Sequence, residues 1–310
     1  MSKRKKIIFI IIIFFTIPIS AVFLRPSNII SREKAIQKIA QKDSKFYTWN
    51  GTKMHYVDQG KGKVILMIHG LGGSHRNFEK IALELSKDYR VIRIDLPGFG
   101  LSEFPKDSMK FMDVYDGFLH SFMQDLQLDS VTLVGNSMGG MVSWVYAYKH
   151  PEHIDKLVLM GSAGYDLEAA RKQAIQFARF GFVEVLAQKG LPLFITKQAV
   201  DRCYYNKDFI KPEEVKKANT FWNIDGNLAV FFTIAHTKEF PDEKWIQQIH
   251  KPTLIIWGEN DQIAPLKNAS KFERDIKHSK KIIYPHCGHL PQNEYTQQLA
   301  KDLRAFIENK

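Results

Sequence analysis

Cysteine is scarce in this sequence of 310 residues. Only Cys203 and Cys287 are present, they lie in different regions, and neither belongs to a C-x-x-C pair. A disulfide framework or a cysteine-based metal site needs more cysteines at short spacings. Neither is indicated here. A single bridge between the two residues stays open, but two free thiols are the favoured interpretation.

Acidic residues are fewer than basic ones, and the net charge is +11. The excess is concentrated at the start, because the first 50 residues contain ten Lys or Arg and two acids. The remaining chain is close to neutral, and it contains neither zinc-finger spacing nor a ladder of basic and aromatic residues. Binding to nucleic acid needs a concentrated basic surface, so no nucleic-acid partner is expected.

Charge is absent from one long apolar run, Ile7–Leu24, which follows lysines and an arginine at residues 3–6. A helix of this length spans about 27 Å, close to the hydrocarbon thickness of a bilayer. Residues 1–30 are therefore predicted to be a membrane anchor. The basic start would stay cytoplasmic, leaving the rest of the chain on the non-cytoplasmic side. The alternative is a cleaved signal peptide and secretion, although this run is longer than usual and has a poor cleavage site.

A short linker helix is predicted within residues 31–45, where Ser31 is a good N-cap and apolar residues recur at helical spacing. Short apolar runs then alternate with amphipathic stretches, as in a mostly parallel, eight-stranded sheet with helices on both faces. The predicted fold class is therefore α/β. Two runs flank Asn50-Gly51 as a hairpin, and the others are VILMIH (64–69), YRVIRID (89–95), VTLVGN (131–136), KLVLMG (156–161), TLIIWG (253–258) and KIIYP (281–285).

The alternation stops between residues 163 and 249, a segment rich in aromatic residues that contains no convincing buried strand. This pattern predicts a helical cap, inserted over the carboxyl edge of the sheet. The core would then consist of residues 46–162 and 250–310. Phe221 and Trp222 of the cap are candidates for lining a substrate pocket.

The motif G-x-S-x-G lies at residues 135–139, between an apolar strand and an apolar helix. In a nucleophile elbow the serine is held in a strained turn, which larger residues two positions away would obstruct. Gly135 and Gly139 satisfy that requirement, and Gly140 adds a further small residue on the helix side. Ser137 is therefore the predicted nucleophile.

A serine needs a base to accept its proton and a carboxylate to orient that base. Asp261 and His289 each follow a late apolar strand, in the order that this arrangement requires. They are the predicted acid and base. Glu259 and Asp166 remain alternatives for the acid, and His286 is the alternative for the base.

Donors are also needed for the oxyanion that forms during attack on a carbonyl group. Backbone N–H groups can supply them whatever the side chain. The glycine-rich HGLGGS (69–74), here called the oxyanion loop, follows an early strand. The amides of Leu71 and Met138 are therefore the predicted oxyanion hole.

From about residue 46 to the C-terminus the chain resembles the cap-bearing α/β-hydrolases. The resemblance rests on five motifs in order: HGLGG, RIDLPGFGLS, GNSMGG, GENDQIAP and CGHLPQNE. It implies hydrolysis through a covalent acyl-enzyme, with no metal and no organic cofactor.

Relatives on this fold catalyse different reactions, so the residues of the site must discriminate among them. Haloalkane dehalogenases and epoxide hydrolases use an aspartate where Ser137 stands. Carbon-carbon hydrolases of ring-cleavage pathways share the G-N-S-x-G-G motif, but typically have G-P-G in the oxyanion loop and a Trp after the histidine. Here Gly72-Gly73-Ser74 and Leu290 occupy those places.

The closer resemblance is to bacterial lipases and esterases with GNSMGG, and to membrane-anchored monoacylglycerol lipases. It implies a small-molecule or lipid ester as substrate. Carbon-carbon hydrolysis, a haloperoxidase side activity and a ligand receptor on the same fold remain open alternatives.

Overall fold

A single eight-stranded sheet organises the computed structural model, which describes residues 26–105, 110–166 and 187–309. The strand order is β1-β2-β4-β3-β5-β6-β7-β8, with β1 and β2 antiparallel to their neighbours and all other pairs parallel. The strands are β1 Ser44–Trp49, β2 Thr52–Gln59, β3 Val64–Ile68, β4 Arg90–Ile94, β5 Val131–Asn136, β6 Ile154–Met160, β7 Thr253–Gly258 and β8 Ser279–Tyr284. The predicted α/β fold class is confirmed.

Helices cover both faces of the sheet. Those among the described residues are α1 Arg32–Ile39, α2 Glu79–Leu85, α3 Phe111–Asp125, α4 Met138–Lys149, α5 Leu193–Cys203, α6 Pro212–Trp222, α7 Asn227–His236, α8 Lys267–Asp275, α9 Pro291–Glu294 and α10 Thr296–Glu308. One buried apolar cluster joins the sheet to α3, α4 and α8, and another joins it to α2 and α10. The near-continuous apolar runs of the five central strands follow from this, since β3, β4, β5, β6 and β7 are buried along almost their whole length.

The hairpin between β1 and β2 turns at Asn50 and Gly51, which both have positive φ values (47° and 73°). Asn and Gly tolerate this left-handed conformation better than other residues, and they are preferred in tight hairpin turns. The hairpin predicted from Asn50-Gly51 is confirmed.

The described helices of residues 187–249, here called the helical insertion, lie over loops that follow the carboxyl ends of the parallel strands. The indole Nε1 of Trp222 donates to the carbonyl of Gly72, beyond β3, at 2.6 Å. On another side, the amide of His289, beyond β8, donates to the carbonyl of Cys203 at 2.8 Å. The insertion is therefore fastened to two separate loops of the core.

The N-terminal segment also fastens the insertion. Ile30 pairs with the insertion, donating to Asn223 and accepting from Asp225 through backbone hydrogen bonds. The guanidinium of Arg32 bonds the Asp225 carbonyl and the Asn227 side chain at 3.0 and 2.9 Å. Within residues 31–45 the chain forms α1, which is capped by the Ser31 side chain and packs against the folded body.

The predicted localisation on a membrane requires correction. Within residues 26–105, 110–166 and 187–309, no helix has the length and apolar character needed to cross a bilayer. The run Ile7–Leu24 on which the prediction rested lies outside these described residues. The anchor, and with it the placement of the body on the non-cytoplasmic side, is therefore not supported.

Candidate active site

Ser137 occupies the sharp turn between β5 and α4. Its backbone has φ 58° and ψ −121°, a conformation that costs a non-glycine residue free energy and is characteristic of functional sites. Close packing holds the turn. A Cβ atom on Gly135 would approach the Gly139 carbonyl oxygen to 2.3 Å, and one on Gly139 would approach the Ile68 oxygen to 2.2 Å. The glycines of the motif are therefore needed because backbone segments pass one another there.

His289 and Asp261 meet in the loops after β8 and β7. The Nδ1 atom of His289 lies 2.7 Å from Oδ2 of Asp261, and the two side chains are 5% and 0% exposed. The other carboxylate oxygen accepts the amides of Ile263 and Ala264, both at 2.8 Å. These bonds fix the carboxylate, which in turn holds the imidazole with its Nδ1–H toward the acid and leaves Nε2 for other chemistry.

The turn at Ser137 lies close to this pair. The side-chain amide of Asn136 donates to the carbonyl of His289 at 3.2 Å and to that of Met160 at 3.0 Å. The next residue, Gly161, is so close that a Cβ there would lie 3.0 Å from both Asp261 Oδ2 and His289 Nδ1. Among the described residues no hydrogen bond joins the Ser137 hydroxyl to the His289 ring. Such bonds are often long before substrate binds.

The three alternative residues are placed elsewhere. Asp166 accepts from Lys267 and Lys271 at 3.1 and 3.2 Å, and these bonds lower the pKa of its carboxyl group. Glu259 is exposed, and His286 is an exposed residue whose ring faces Tyr205. Within the part of the chain that the structure describes, neither Asp166 nor Glu259 forms a hydrogen bond with His289, and His286 forms none with Asp261.

The predicted oxyanion residues border the serine turn. Met138 follows Ser137 directly and is 5% exposed. Leu71 follows Gly70, where a Cβ would lie 2.9 Å from the Cβ of Ser137. The loop is braced by His69, which accepts the Leu96 amide at Nε2 and donates from Nδ1 to the Gly70 carbonyl at 2.7 Å. Burial lowers the pKa of His69, which keeps this imidazole neutral.

Phe221 and Trp222 both line a crevice beside the oxyanion loop, together with Gly72 and Phe231. Trp222 contacts that loop directly through its bond to Gly72. Phe221 is 4% exposed and belongs to a buried cluster that includes Ala35 of α1 and Leu101. A role for either residue in binding substrate stays a prediction.

A protein-family model described as the alpha/beta hydrolase fold matches residues 63–294. The chain belongs to this family. Lipase 3 of Moraxella sp. (strain TA144) is 31% identical over 268 residues, covering 83% of this chain and 82% of the relative. The 2-hydroxy-6-oxo-6-(2'-aminophenyl)hexa-2,4-dienoic acid hydrolase of Metapseudomonas resinovorans is 30% identical over 276 residues, covering 86% and 91%.

A solved structure of a serine hydrolase involved in carbazole degradation superposes with a TM-score of 0.72 at 27% identity. The superposition covers 85% of the present chain and 98% of the chain in the solved structure. The relatives of the present chain thus include a lipase and a hydrolase of dienoic acids. Both relatives are hydrolases, but the substrates in their names belong to different chemical classes.

A second buried cluster of the hydrolase lies behind the oxyanion loop. Asp95, with no exposed surface, accepts the backbone amides of His75 and Leu101 at 2.6 and 2.9 Å and the Nδ1 atoms of His55 and His75 at 2.7 and 3.0 Å. Burial alone would raise the pKa of Asp95, but the two imidazoles and their hydrogen bonds outweigh it and hold that pKa well below its ordinary value. The cluster therefore ties β2, β4 and the segment after the oxyanion loop together.

Among the described residues, His55, His75 and Asp95 are the one group whose donor atoms lie close enough together to hold a metal ion. The ring nitrogens that face Asp95 donate to it, however, so their lone pairs are not free for a metal. The donor set fits an internal hydrogen-bond network better than a metal site.

The sequence patterns did not reveal two polar residues near the site. The sequence marks Asn136 only as part of the G-N-S-x-G-G motif, yet its side chain joins the serine turn to the His289 backbone. Glu294 lies in CGHLPQNE, where its distance from His289 gave no indication of its contacts. No sequence pattern indicates that this carboxylate reaches the backbone just before His289.

The His75 imidazole makes the stability of the hydrolase sensitive to acid. Burial lowers the pKa of His75 from 6.5 to about 4. The unfolded chain takes up a proton below about pH 6.5, whereas the folded chain does so only near pH 4, so unfolding is favoured increasingly across this window. We expect a loss of up to about 3 kcal/mol between pH 7 and 4 from this residue, measured as the free energy of unfolding in urea.

His75→Gln should be less stable than wild type at pH 7 but should show a shallower dependence on pH. His278→Gln, which changes an exposed histidine, should keep the wild-type slope. Equal slopes for wild type and His75→Gln would contradict the role assigned to His75.

Proposed function

We propose that this protein is a serine hydrolase that cleaves carboxylic esters through an acyl-enzyme on Ser137. The observation that carries the proposal is the buried bond between His289 Nδ1 and Asp261 Oδ2 next to the strained serine turn. A fixed acid–base pair beside a serine held at positive φ is the arrangement that nucleophilic catalysis on this fold requires.

In the proposed mechanism, His289 accepts the proton of Ser137 as the hydroxyl oxygen attacks the ester carbonyl. Asp261 holds the imidazole tautomer and stabilises the imidazolium. The amides of Leu71 and Met138 receive the oxyanion. His289 then protonates the leaving alcohol, and in the second half it activates the water that releases the acid.

The helical insertion would form the cap of the site, in line with the boundaries 163–249 proposed from sequence. Two contacts support this: Trp222 bonds the oxyanion loop, and the His289 amide bonds the insertion. A cap that touches both loops would exclude water from the reacting groups, which strengthens the electrostatic stabilisation of the oxyanion.

An ester is favoured over a carbon-carbon bond as the substrate by two features of the sequence. Gly73 stands where ring-cleavage hydrolases typically have proline, and Leu290 stands where they typically have tryptophan. The likeness to Lipase 3 over most of both chains is in agreement.

Carbon-carbon hydrolysis of a dienoate is the second candidate. The similarity to the dienoic acid hydrolase of Metapseudomonas resinovorans favours it. The sequence identity to that enzyme is nearly as high as the identity to Lipase 3, and the alignment covers slightly more of the present chain. The same serine, histidine and aspartate would serve it.

A substrate panel separates the two candidates. We expect p-nitrophenyl esters or monoacylglycerols to be hydrolysed with kcat/KM at least about 100-fold above that for a 2-hydroxy-6-oxo-dienoate, because uncompensated differences in pocket contacts are worth a few kcal/mol. Ser137→Ala should abolish turnover of every ester in the panel. A preference for the dienoate would favour the second candidate, and ester turnover that survives Ser137→Ala would contradict the proposed nucleophile.

The assignment of the acid is tested by Asp261→Asn. An asparagine cannot stabilise the imidazolium and favours the wrong tautomer, so kcat should fall by about 10⁴, the loss seen for this exchange in a serine protease. Steady-state kinetics on the best ester measure this, with Glu259→Gln and Asp166→Asn made in parallel. A larger loss in either of those variants than in Asp261→Asn would move the acid to that residue.

A further inference from the structure

Glu294 ends α9, five residues after His289, and its carboxylate spans the seam between the core and the helical insertion. Its Oε1 atom accepts the amide of Gly288 at 2.7 Å. Its Oε2 atom accepts the amides of Tyr205 and Asn206 at 3.0 and 2.9 Å. One side chain therefore binds three backbone N–H groups. One belongs to the loop between β8 and α9 that contains His289, here called the histidine loop, and two belong to the insertion.

The two backbones in this seam touch directly. A Cβ on Gly288 would lie 2.6 Å from the Cys203 carbonyl oxygen and 2.7 Å from the Tyr205 amide nitrogen. The His289 amide also donates to the Cys203 carbonyl at 2.8 Å. The backbone of His289 is therefore placed by contacts with the insertion as well as by the core.

The loop that contains Asp261 joins the same seam. The amide of Asn260 donates to the carbonyl of Cys287 at 2.9 Å. A Cβ on Gly258 would lie 2.0 Å from the Gly288 carbonyl oxygen. The segment before Asp261 and the segment before His289 thus pack against each other, and Glu294 holds the second of them through Gly288.

A carboxylate is suited to this position. Bonds from N–H groups to a charged acceptor are shorter and stronger than bonds between neutral groups, and two oxygens can serve three donors. A glutamine has one acceptor oxygen, and its NH₂ group is a donor that cannot accept from the backbone N–H it would face. The complete set of three bonds therefore needs both oxygens of a carboxylate at the end of a side chain of this length.

We propose that Glu294 is a positioning residue that sets the alignment of His289 with Asp261 and couples it to the seating of the helical insertion. This inference rests on the proposed function, because it assigns His289 and Asp261 as the reacting pair. Glu294 acts through the backbone of Gly288 and makes no contact with the reacting atoms in the proposed mechanism.

The test compares Glu294→Gln in the full-length protein with Glu213→Gln, the same exchange at an exposed site of α6. For the best p-nitrophenyl ester, kcat of Glu294→Gln should fall about 10- to 100-fold with KM changed less than about threefold, since a displacement of about 1 Å costs roughly 100-fold. The downfield proton resonance of the His289–Asp261 hydrogen bond should shift or disappear. Glu213→Gln should match wild type in both measurements.

Near-ultraviolet circular dichroism checks that Glu294→Gln keeps its tertiary fold. If it does not, Glu294→Asp, which keeps the charge but withdraws it by one methylene, takes its place with the same expected changes. Wild-type kcat and an unchanged resonance in the folded variant would overturn the proposal, as would a loss confined to KM.

The failure of the proposed function gives a different result. Wild type would then show no Ser137-dependent ester turnover, while the resonance of the His289–Asp261 bond would still respond to Glu294→Gln if Glu294 positions that pair. An unchanged resonance would overturn the positioning role in that case as well.

Discussion

The left-handed backbone of Ser137 is the constraint on which the rest of the site depends. A serine at φ 58° is strained, and the surrounding structure must supply the free energy that keeps it there. Two contacts stabilise this conformation. Gly139 packs against the backbone carbonyls at the end of β3, and the Ser137 amide donates to the Met160 carbonyl at 3.0 Å. Strand β6 and the oxyanion loop are thereby fixed relative to the serine.

The loops around that turn are held by the helical insertion as much as by the sheet. Trp222 binds the oxyanion loop on one side, and Glu294 joins the insertion to the histidine loop on the other. Arg32 then ties the insertion to the N-terminal helix, which lies outside the region matched by the family model. The geometry of the proposed reacting groups therefore depends on the core and the insertion together, and it should respond to changes in either.

The sequence allowed much of this to be predicted, because the relevant signals are local. Apolar strands, the glycines around Ser137 and the residues after β7 and β8 each follow from a short pattern with a physical cause. What could not be predicted depends on contacts between distant segments. Glu294 binds amides almost ninety positions away, and Arg32 bonds a residue 195 positions away.

The apolar run Ile7–Leu24 shows a different limit. Length and hydropathy favoured a membrane anchor there, but the described part of the chain contains no helix able to cross a membrane. A hydropathy pattern of this kind reflects one local requirement only, an apolar run long enough to span a bilayer. The alternation of strands, by contrast, is constrained by every neighbouring element.

The central claim, that Ser137 is an activated nucleophile, is tested most directly by reaction with a fluorophosphonate followed by peptide mapping with mass spectrometry. The account predicts one stoichiometric adduct, carried by the peptide that contains Ser137 and absent from Ser137→Ala. A folded protein that stays unlabelled, or an adduct on any other residue, would contradict it.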